Sequence, residues 1–298
     1  MNILVTGGSG LFGVNWAFSC RHFQNVTLGL HQRKIKIEGV NTKKVNLDSE
    51  EDIVNTLRTE KINVVIHAAA NTSIEYCEHF PVEAEYINVQ LTRNVAAAAQ
   101  AYGAKFVFIS TDQLFSGDKS MVTEEEHGDP VNVYGKTKLR AENHILNICD
   151  APLIVRTNFF GMGTRYRKSF SDSIIESLKG GQKISLFDDI YFTPILLDSL
   201  NQAILGLIEG SLSGIFNVVG NERVSKFDFG VKLAEIFNLN IKLIDKSKFL
   251  DRRDLVIRPL DMSLSNEKFC RYTGVDVGSL EGQLRKLVVQ PYSFESLH

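Results

Sequence analysis

The chain has 298 residues, of which 44% are hydrophobic and 23% charged, the composition of a folded protein able to bury a sizeable core, which excludes disordered and fibrous classes. Its formal net charge of −2 lacks the basic excess that counterion release on nucleic acid or docking on anionic lipid requires. Small molecules are therefore the expected partners, with no nucleic acid and no membrane.

Cys20, Cys77, Cys149 and Cys270 form no CxxC pair, so no metal site and no disulfide framework is expected, and the four are read as buried thiols. No apolar stretch approaches the ~20 residues needed to span a bilayer. The chain opens on a strand pattern at Met1 to Thr6 without the basic and apolar regions of a signal peptide, so a cytoplasmic location is expected.

In chain order, residues 3–5, 26–30, 43–47, 64–69, 106–110 and 153–156 read as strands. Several are apolar on both faces, as parallel strands covered by helices on each side must be. Helical patterns lie between them at 13–23, 50–60, 82–102 and 133–149. Alternating β and α units imply an α/β fold, a Rossmann-type doubly wound parallel sheet with right-handed crossovers. After about residue 158 the alternation weakens: helical patterns at 169–179, 198–209, 225–237 and 280–287 surround short strands at 183–187 and 215–218. Residues 1–157 are thus expected to form the dinucleotide-binding domain. Residues 158–298 are expected to form mainly a smaller α/β substrate-binding lobe, with some segments returning to the sheet.

The first strand runs into Thr6-Gly7-Gly8-Ser9-Gly10-Leu11-Phe12-Gly13, which opens the first helix. Gly7 permits the tight turn, Gly10 lets backbone approach a pyrophosphate, and Gly13 allows close helix packing. The helix start, with Leu11 and Phe12, presents free N–H groups to phosphates. A glycine triplet alone is weak, but strand, helix and βαβ context all fit it. At the end of the second strand stand His31, Gln32, Arg33 and Lys34, with no carboxylate to bond a ribose 2′-hydroxyl. Arg33 suits a 2′-phosphate instead, so NADPH is favoured, with NADH as the alternative. Asp48, after the third strand, is placed to accept from an adenine amino group. Ala68, Ala69 and Ala70 after the fourth offer small side chains beside a cofactor. His67, inside an apolar strand, reads as a core histidine and not as a base.

Tyr134 and Lys138 open a helix four residues apart, on one face and about one turn from each other. A phenol titrates near pH ~10 in water, and an adjacent ammonium stabilises the phenolate. Some two dozen residues upstream the fifth strand ends in Ser110-Thr111-Asp112, where a hydroxyl at the carboxyl edge of the sheet can share a substrate carbonyl with Tyr134.

Together these residues resemble the extended short-chain dehydrogenase/reductases, and within them the dTDP-4-dehydrorhamnose reductase family, over nearly the whole chain. Residues 110–117, STDQLFSG, are similar to that family's STDYVFDG segment, and residues 132–139, NVYGKTKL, to its NVYGKTKL segment. Arg156-Thr157-Asn158-Phe159 resembles its RTSW stretch, and Arg258-Pro259 with Ser263-Leu264 its late RPxxSxL pattern. The resemblance implies hydride transfer from NADPH to the 4-keto carbon of a nucleotide-activated deoxy sugar. Tyr134 would protonate the alkoxide, Thr111 would orient the carbonyl, and Lys138 would hold the nicotinamide ribose and lower the Tyr134 pKa. It also implies that Asn88 organises the helix behind the cofactor site. Asn71, Asp112, Asn158, Phe159 and Arg258 would line the nucleotide-sugar pocket, Arg258 being suited to a diphosphate.

Gln113 and Phe159 depart from the family's usual Tyr and Trp, and residues 188–194, DDIYFTP, alter its DQxGxPT loop, which bears on the sugar more than on the chemistry. Two alternatives stand beside the reductase. One is an epimerase or dehydratase on the same scaffold, for which Asp112 is the one extra acid/base group beside Thr111. The other is an NADP-binding regulatory subunit like the β subunit of methionine adenosyltransferase, which resembles the same reductases. The oligomer is not specified, and a homodimer is left open.

Overall fold

The computed structural model describes residues 1–290. Its first half alternates strand and helix: β1 (Asn2–Thr6), α1 (Leu11–Cys20), β2 (Asn25–Leu30), β3 (Asn41–Lys44), α2 (Glu50–Thr59) and β4 (Val64–His67). There follow α3 (Ile74–His79), α4 (Pro81–Glu85), a π turn (Tyr86–Gln90), α5 (Leu91–Tyr102), β5 (Lys105–Ile109), α6 (Val133–Ile148) and β6 (Leu153–Arg156). The second half contains β7 (Phe159–Phe160), α7 (Phe170–Lys179), β8 (Ile184–Phe187), β9 (Tyr191–Phe192), β10 (Ile195–Leu196) and α8 (Leu197–Glu209). Last come β11 (Gly214–Asn217), β12 (Val224–Ser225), α9 (Lys226–Ile236), β13 (Ile244–Ser247), α10 (Glu267–Thr273) and α11 (Leu280–Val288).

Seven strands form one parallel sheet in the order β11-β6-β5-β4-β1-β2-β3. The direction of winding reverses between β1 and β4, and in open α/β sheets the crevice beyond the carboxyl ends of such strands is where ligands bind. One face of the sheet is covered by α1 and α8, whose Trp16, Leu200 and Ile204 pack on Ile3, Val5 and Ile66. On the other face, Ile53 of α2, Val95 of α5 and Ile145 of α6 pack on Leu4, Val65 and Phe108. A further core joins α7, α9 and α11 around Phe229, Leu233 and Leu284, over the second half of the chain. From there the chain comes back to the sheet through β11, which pairs with β6 in parallel.

Three expected elements move. The third strand occupies Asn41–Lys44 and not 43–47. The apolar Val45 and Leu47 that suggested the later position leave the ladder to pack with Ile53 and Leu57 of α2, and a last ladder bond runs from Val45 N to Leu30 O at 3.0 Å. The fourth strand stops at His67, opposite Thr6, because β1 offers no pairing partner beyond it. The helix expected at 82–102 is divided into α4, the π turn and α5, with α3 standing ahead of it and unforeseen. One-turn π segments inside helices are frequent at functional sites, and this one carries the fully buried Asn88.

Candidate active site

The loop after β1 is built around close approaches. Gly7 has φ +69°, and a Cβ there would lie 2.8 Å from the backbone N of Ala69, so the loops after β1 and β4 touch. A Cβ on Gly13 would sit 2.7 Å from Gly8 Cα. Gly8 is a requirement the sequence reading missed: its Cβ would fall 2.6 Å from that of Leu28 on β2. Gly10 closes the turn by donating to Gly7 O at 2.8 Å and precedes α1 without a side-chain cap, which leaves the first N–H groups of α1 free for an anion. Leu11 is partly exposed at that turn, whereas the Phe12 side chain is buried against Trp16, so only its backbone faces the loop.

Beside this turn, Ser9, His31, Gln32, Arg33 and Lys34 line an open pocket of about 610 Å³. The Arg33 guanidinium lies 4.0 Å from the centre of the Tyr166 ring, so a residue from the second half of the chain holds it in place. Asp48 is exposed at the same edge of the sheet, and Ala68, Ala69 and Ala70 are partly exposed at the mouth of the crevice.

A buried polar chain connects this loop to the Tyr134 helix. Thr92 Oγ1 donates to Asn88 O at 2.8 Å, so His67 Nε2, 3.0 Å away, must donate to Thr92, and His67 Nδ1 accepts from Thr6 Oγ1 at 2.7 Å. Burial, with the nearby Lys138, lowers His67 to about 3 and keeps it a neutral structural group. The Asn88 side chain then accepts from Asn71 N at 2.8 Å and donates to Asn71 O and Thr137 Oγ1, each at 3.0 Å. Asn88 thereby joins the loop after β4 to α6.

Asn132 caps α6 by accepting from Gly135 N at 2.9 Å, which sets where Tyr134 and Lys138 begin their shared face. Tyr134 is 8% exposed and Lys138 3%. Burial raises the Tyr134 phenol above its ordinary range, opposed by a hydrogen bond with Thr111 and reinforced by Asp112. Lys138 stands one turn from Tyr134 on the same helix. Its ammonium donates to Ile109 O at 2.7 Å and lies 3.8 Å from the centre of the Phe108 ring, turned toward the end of β5. Burial brings Lys138 itself down to about 7, partly offset by Glu142.

The two hydroxyls at the end of β5 separate. Ser110 Oγ donates to Glu142 Oε1 at 2.5 Å, and Glu142 is paired with Arg156 at 2.8 Å, so Ser110 is committed behind the sheet. Thr111 interacts with Tyr134 and with Asp112 Oδ1 at 3.3 Å. Asp112 also accepts from Asn158, and burial raises its carboxyl to about 6 against the opposing effects of Asn158, Lys226 and Thr111. Thr111, Tyr134, Asp112 and Asn158 thus form one connected group beside the crevice.

The remaining predicted pocket residues divide. Asn71 is held at the crevice by Asn88, with its Oδ1 accepting from Ser73 N at 3.1 Å. Phe159 is partly buried and faces Phe12 at 6.2 Å between ring centres, on the side of the cofactor loop. Arg258 reaches across from the late chain to form an ion pair with Glu75 of α3. Gln113 is buried, its amide in contact with Met262 and Asn132, so the change from the family's Tyr is absorbed by packing. The sequence reading missed Lys226, which interacts electrostatically with both Asp112 and Arg258. No local pattern marks it, since it lies 114 residues from Asp112 as the first residue of an ordinary capped helix.

A doubly wound parallel sheet, a glycine turn at its switch point and a Thr-Tyr-Lys group at the end of β5 define an extended short-chain dehydrogenase/reductase. The profile of the family described as the RmlD substrate binding domain matches residues 1–292, and the chain belongs to that family. It is 27% identical over 289 residues to a probable low-salt glycan biosynthesis reductase of Haloferax volcanii, covering 95% of this chain and 92% of that one. It is 28% identical to the methionine adenosyltransferase 2 subunit beta of Mus musculus, over 80% of this chain and 72% of the other. A crystal structure of a hypothetical dTDP-4-dehydrorhamnose reductase from Sulfolobus tokodaii superposes with a TM-score of 0.81 at 30% identity, covering 95% and 99% of the two chains. No helix among the described residues is long and apolar enough to cross a membrane.

Proposed function

We propose that the protein is an NADPH-dependent reductase of the 4-keto group of a nucleotide-activated deoxy sugar. The observation that carries this reading is the meeting of Thr111, Tyr134 and Lys138 at the carboxyl end of β5, beside the crevice that the glycine turn opens. Support for the substrate class comes from the family to which the chain belongs.

The glycine turn fits the cofactor, since Cβ atoms at Gly7, Gly8 and Gly13 would fill the cradle and the free start of α1 suits a pyrophosphate. Gly7, Gly10, Leu11, Phe12 and Gly13 would hold it through backbone, Arg33 would take the 2′-phosphate, and Asp48 the adenine. Ala68, Ala69, Ala70 and Asn88 would shape the wall of the crevice, and Lys138 would hold the nicotinamide ribose. Bound there, NADPH supplies the hydride. Thr111 orients the substrate carbonyl, and Tyr134 gives its proton to the oxygen as the alkoxide develops. A phenol raised by burial is fully protonated near neutral pH, which is the form a proton donor must have. Asn71, Asp112, Asn158, Phe159 and Arg258 bound the sugar-nucleotide pocket.

The reading divides the chain into a cofactor domain at 1–157 and a lobe that mainly binds substrate at 158–298. It takes the enzyme to be cytoplasmic, to act on a small nucleotide sugar and not on nucleic acid, and to assemble as a homodimer. The similarity to the methionine adenosyltransferase β subunit supports a second reading, an NADP-binding regulatory subunit. The two part in a simple assay with purified protein, NADPH and a dTDP-4-keto-6-deoxy sugar. The reductase consumes the nicotinamide absorbance. NADPH that binds but is left unoxidised by a panel of nucleotide keto sugars supports the regulatory subunit instead.

A further inference from the structure

We propose that Lys226 is a substrate-binding residue that, together with Arg258, takes the sugar-linked phosphate of a nucleoside diphosphate sugar; this rests on the nucleotide-sugar reading above. Lys226 opens α9 immediately after its cap, Ser225, and projects between two aromatic rings. Its Nζ lies 3.3 Å from the centre of the Phe192 ring and 4.8 Å from that of Phe170. Its backbone N donates to Ile190 O at 2.9 Å, but among the described residues its ammonium has neither a hydrogen bond nor an ion pair. Lys226 is half-buried; an ammonium drawn partly out of water without a bonded counter-charge is costly, and cation–π contact offsets only part of that cost.

Two charged groups act on the position, Asp112 and Arg258. Asp112 attracts Lys226 without forming an ion pair with it, and its own carboxylate is already bonded to Asn158 and Thr111. Arg258 repels Lys226. Arg258 is tied to Glu75 of α3, yet its Nε is buried and unpartnered. Two cations therefore converge from separate segments of the late chain, Arg258 paired with Glu75 and Lys226 near a carboxylate that is otherwise engaged. An anionic phosphate between them would relieve the repulsion and give a partner to the Lys226 ammonium and to Arg258 Nε.

The neighbours of Lys226 suggest which part of a substrate meets it. Thr111 and Tyr134 mark the keto carbon, and Asp112 is the next residue after Thr111. Lys226 interacts electrostatically with Asp112 and with Arg258, the residue suited to a diphosphate. The phosphate attached to the anomeric carbon belongs at that place. Burial lowers Lys226 to about 8, opposed by Asp112, so it is mostly charged at neutral pH and becomes more so when an anion arrives.

The test is calorimetric titration of dTDP, dTMP, UDP and UMP into the NADP⁺-loaded protein and its Lys226→Met and Lys226→Arg variants, with melting temperature and NADP⁺ affinity as folding controls. Losing a charge-assisted contact to the terminal phosphate should weaken nucleoside diphosphate binding at least about tenfold in Lys226→Met. Nucleoside monophosphate and NADP⁺ binding should stay unchanged, and Lys226→Arg should recover most of the loss. Equal diphosphate affinity in wild type and Lys226→Met overturns the inference and leaves the reductase reading standing. Equal weakening of mono- and diphosphate also overturns it, since the residue would then act only on lobe packing. A wild-type protein that binds neither diphosphate overturns the nucleotide-sugar reading and this inference with it.

Discussion

Ser110 Oγ donates to Glu142 Oε1 at 2.5 Å on the rear side of β5, while the adjacent Thr111 engages Tyr134. Glu142 stands one helical turn beyond Lys138, and it also accepts from Arg156 Nε and Nη2, both groups being almost wholly buried. Removing one partner of such a pair strands the other charge in the interior. Glu142→Ala should therefore cost about 3–5 kcal/mol, read from urea unfolding. A cost below about 1 kcal/mol would mean that Arg156 finds water or another acceptor and that the pair does not brace the end of β5.

The Tyr134 hydroxyl is the proposed proton donor, and Thr111 is the hydroxyl that opposes the rise of its pKa. Tyr134→Phe should abolish NADPH oxidation while leaving NADPH affinity within about twofold of wild type, as expected for an interaction made only in the transition state. Thr111→Val should lower kcat by at least about tenfold, and Thr111→Ser should recover most of it. Turnover by Tyr134→Phe near the wild-type rate would remove Tyr134 from the mechanism.

Arg33 is held at the cofactor pocket by Tyr166, 4.0 Å from its ring centre. Arg33→Ala should weaken NADPH by about 1.5–3 kcal/mol and NADH by much less, since only NADPH carries the 2′-phosphate. Tyr166→Ala should produce the same selective loss in smaller measure. Fluorescence titration of both cofactors checks this, and equal losses for the two would contradict the assignment.

Asp112 carries a pH signature with a definite sign. Its folded pKa of about 6 lies above the reference value of 3.8, so the folded state holds the extra proton. Its favourable contribution is complete below about pH 4 and is lost as pH rises through about 6. Asp112→Asn should therefore gain stability over wild type by up to about 3 kcal/mol at pH 8 relative to its effect at pH 4, with kcat/KM lowered. Thermal unfolding at the two pH values checks it, and a pH-independent difference would show that Asp112 is not desolvated in the folded protein.

The local motifs were readable because each contains its own reason. Gly7, Gly10 and Gly13 answer to one turn and one helix start, and Tyr134 and Lys138 to one helical face. The alternation of strands and helices is likewise short-range, and it anticipates all the strands of the sheet. What escaped depends on distant partners. The fate of Ser110 is decided by Glu142, 32 residues away, and the π turn by Asn88 bonding both Asn71 and Thr137. Val45 and Leu47 read as strand because packing against α2 asks for the same apolar residues that a strand does. Lys226 carries no local mark at all, because its neighbours Asp112 and Phe192 come from other parts of the chain.

The central claim is reduction at a sugar C4 with Tyr134 as acid, and the most direct test uses NADPH deuterated at the transferable position of nicotinamide C4. With a dTDP-4-keto-6-deoxy sugar, wild-type protein should yield a 4-hydroxy sugar carrying one deuterium at C4, seen by mass spectrometry and NMR, while Tyr134→Phe binds the cofactor and yields none. Product without deuterium at C4, or labelled product from Tyr134→Phe at the wild-type rate, would contradict the account.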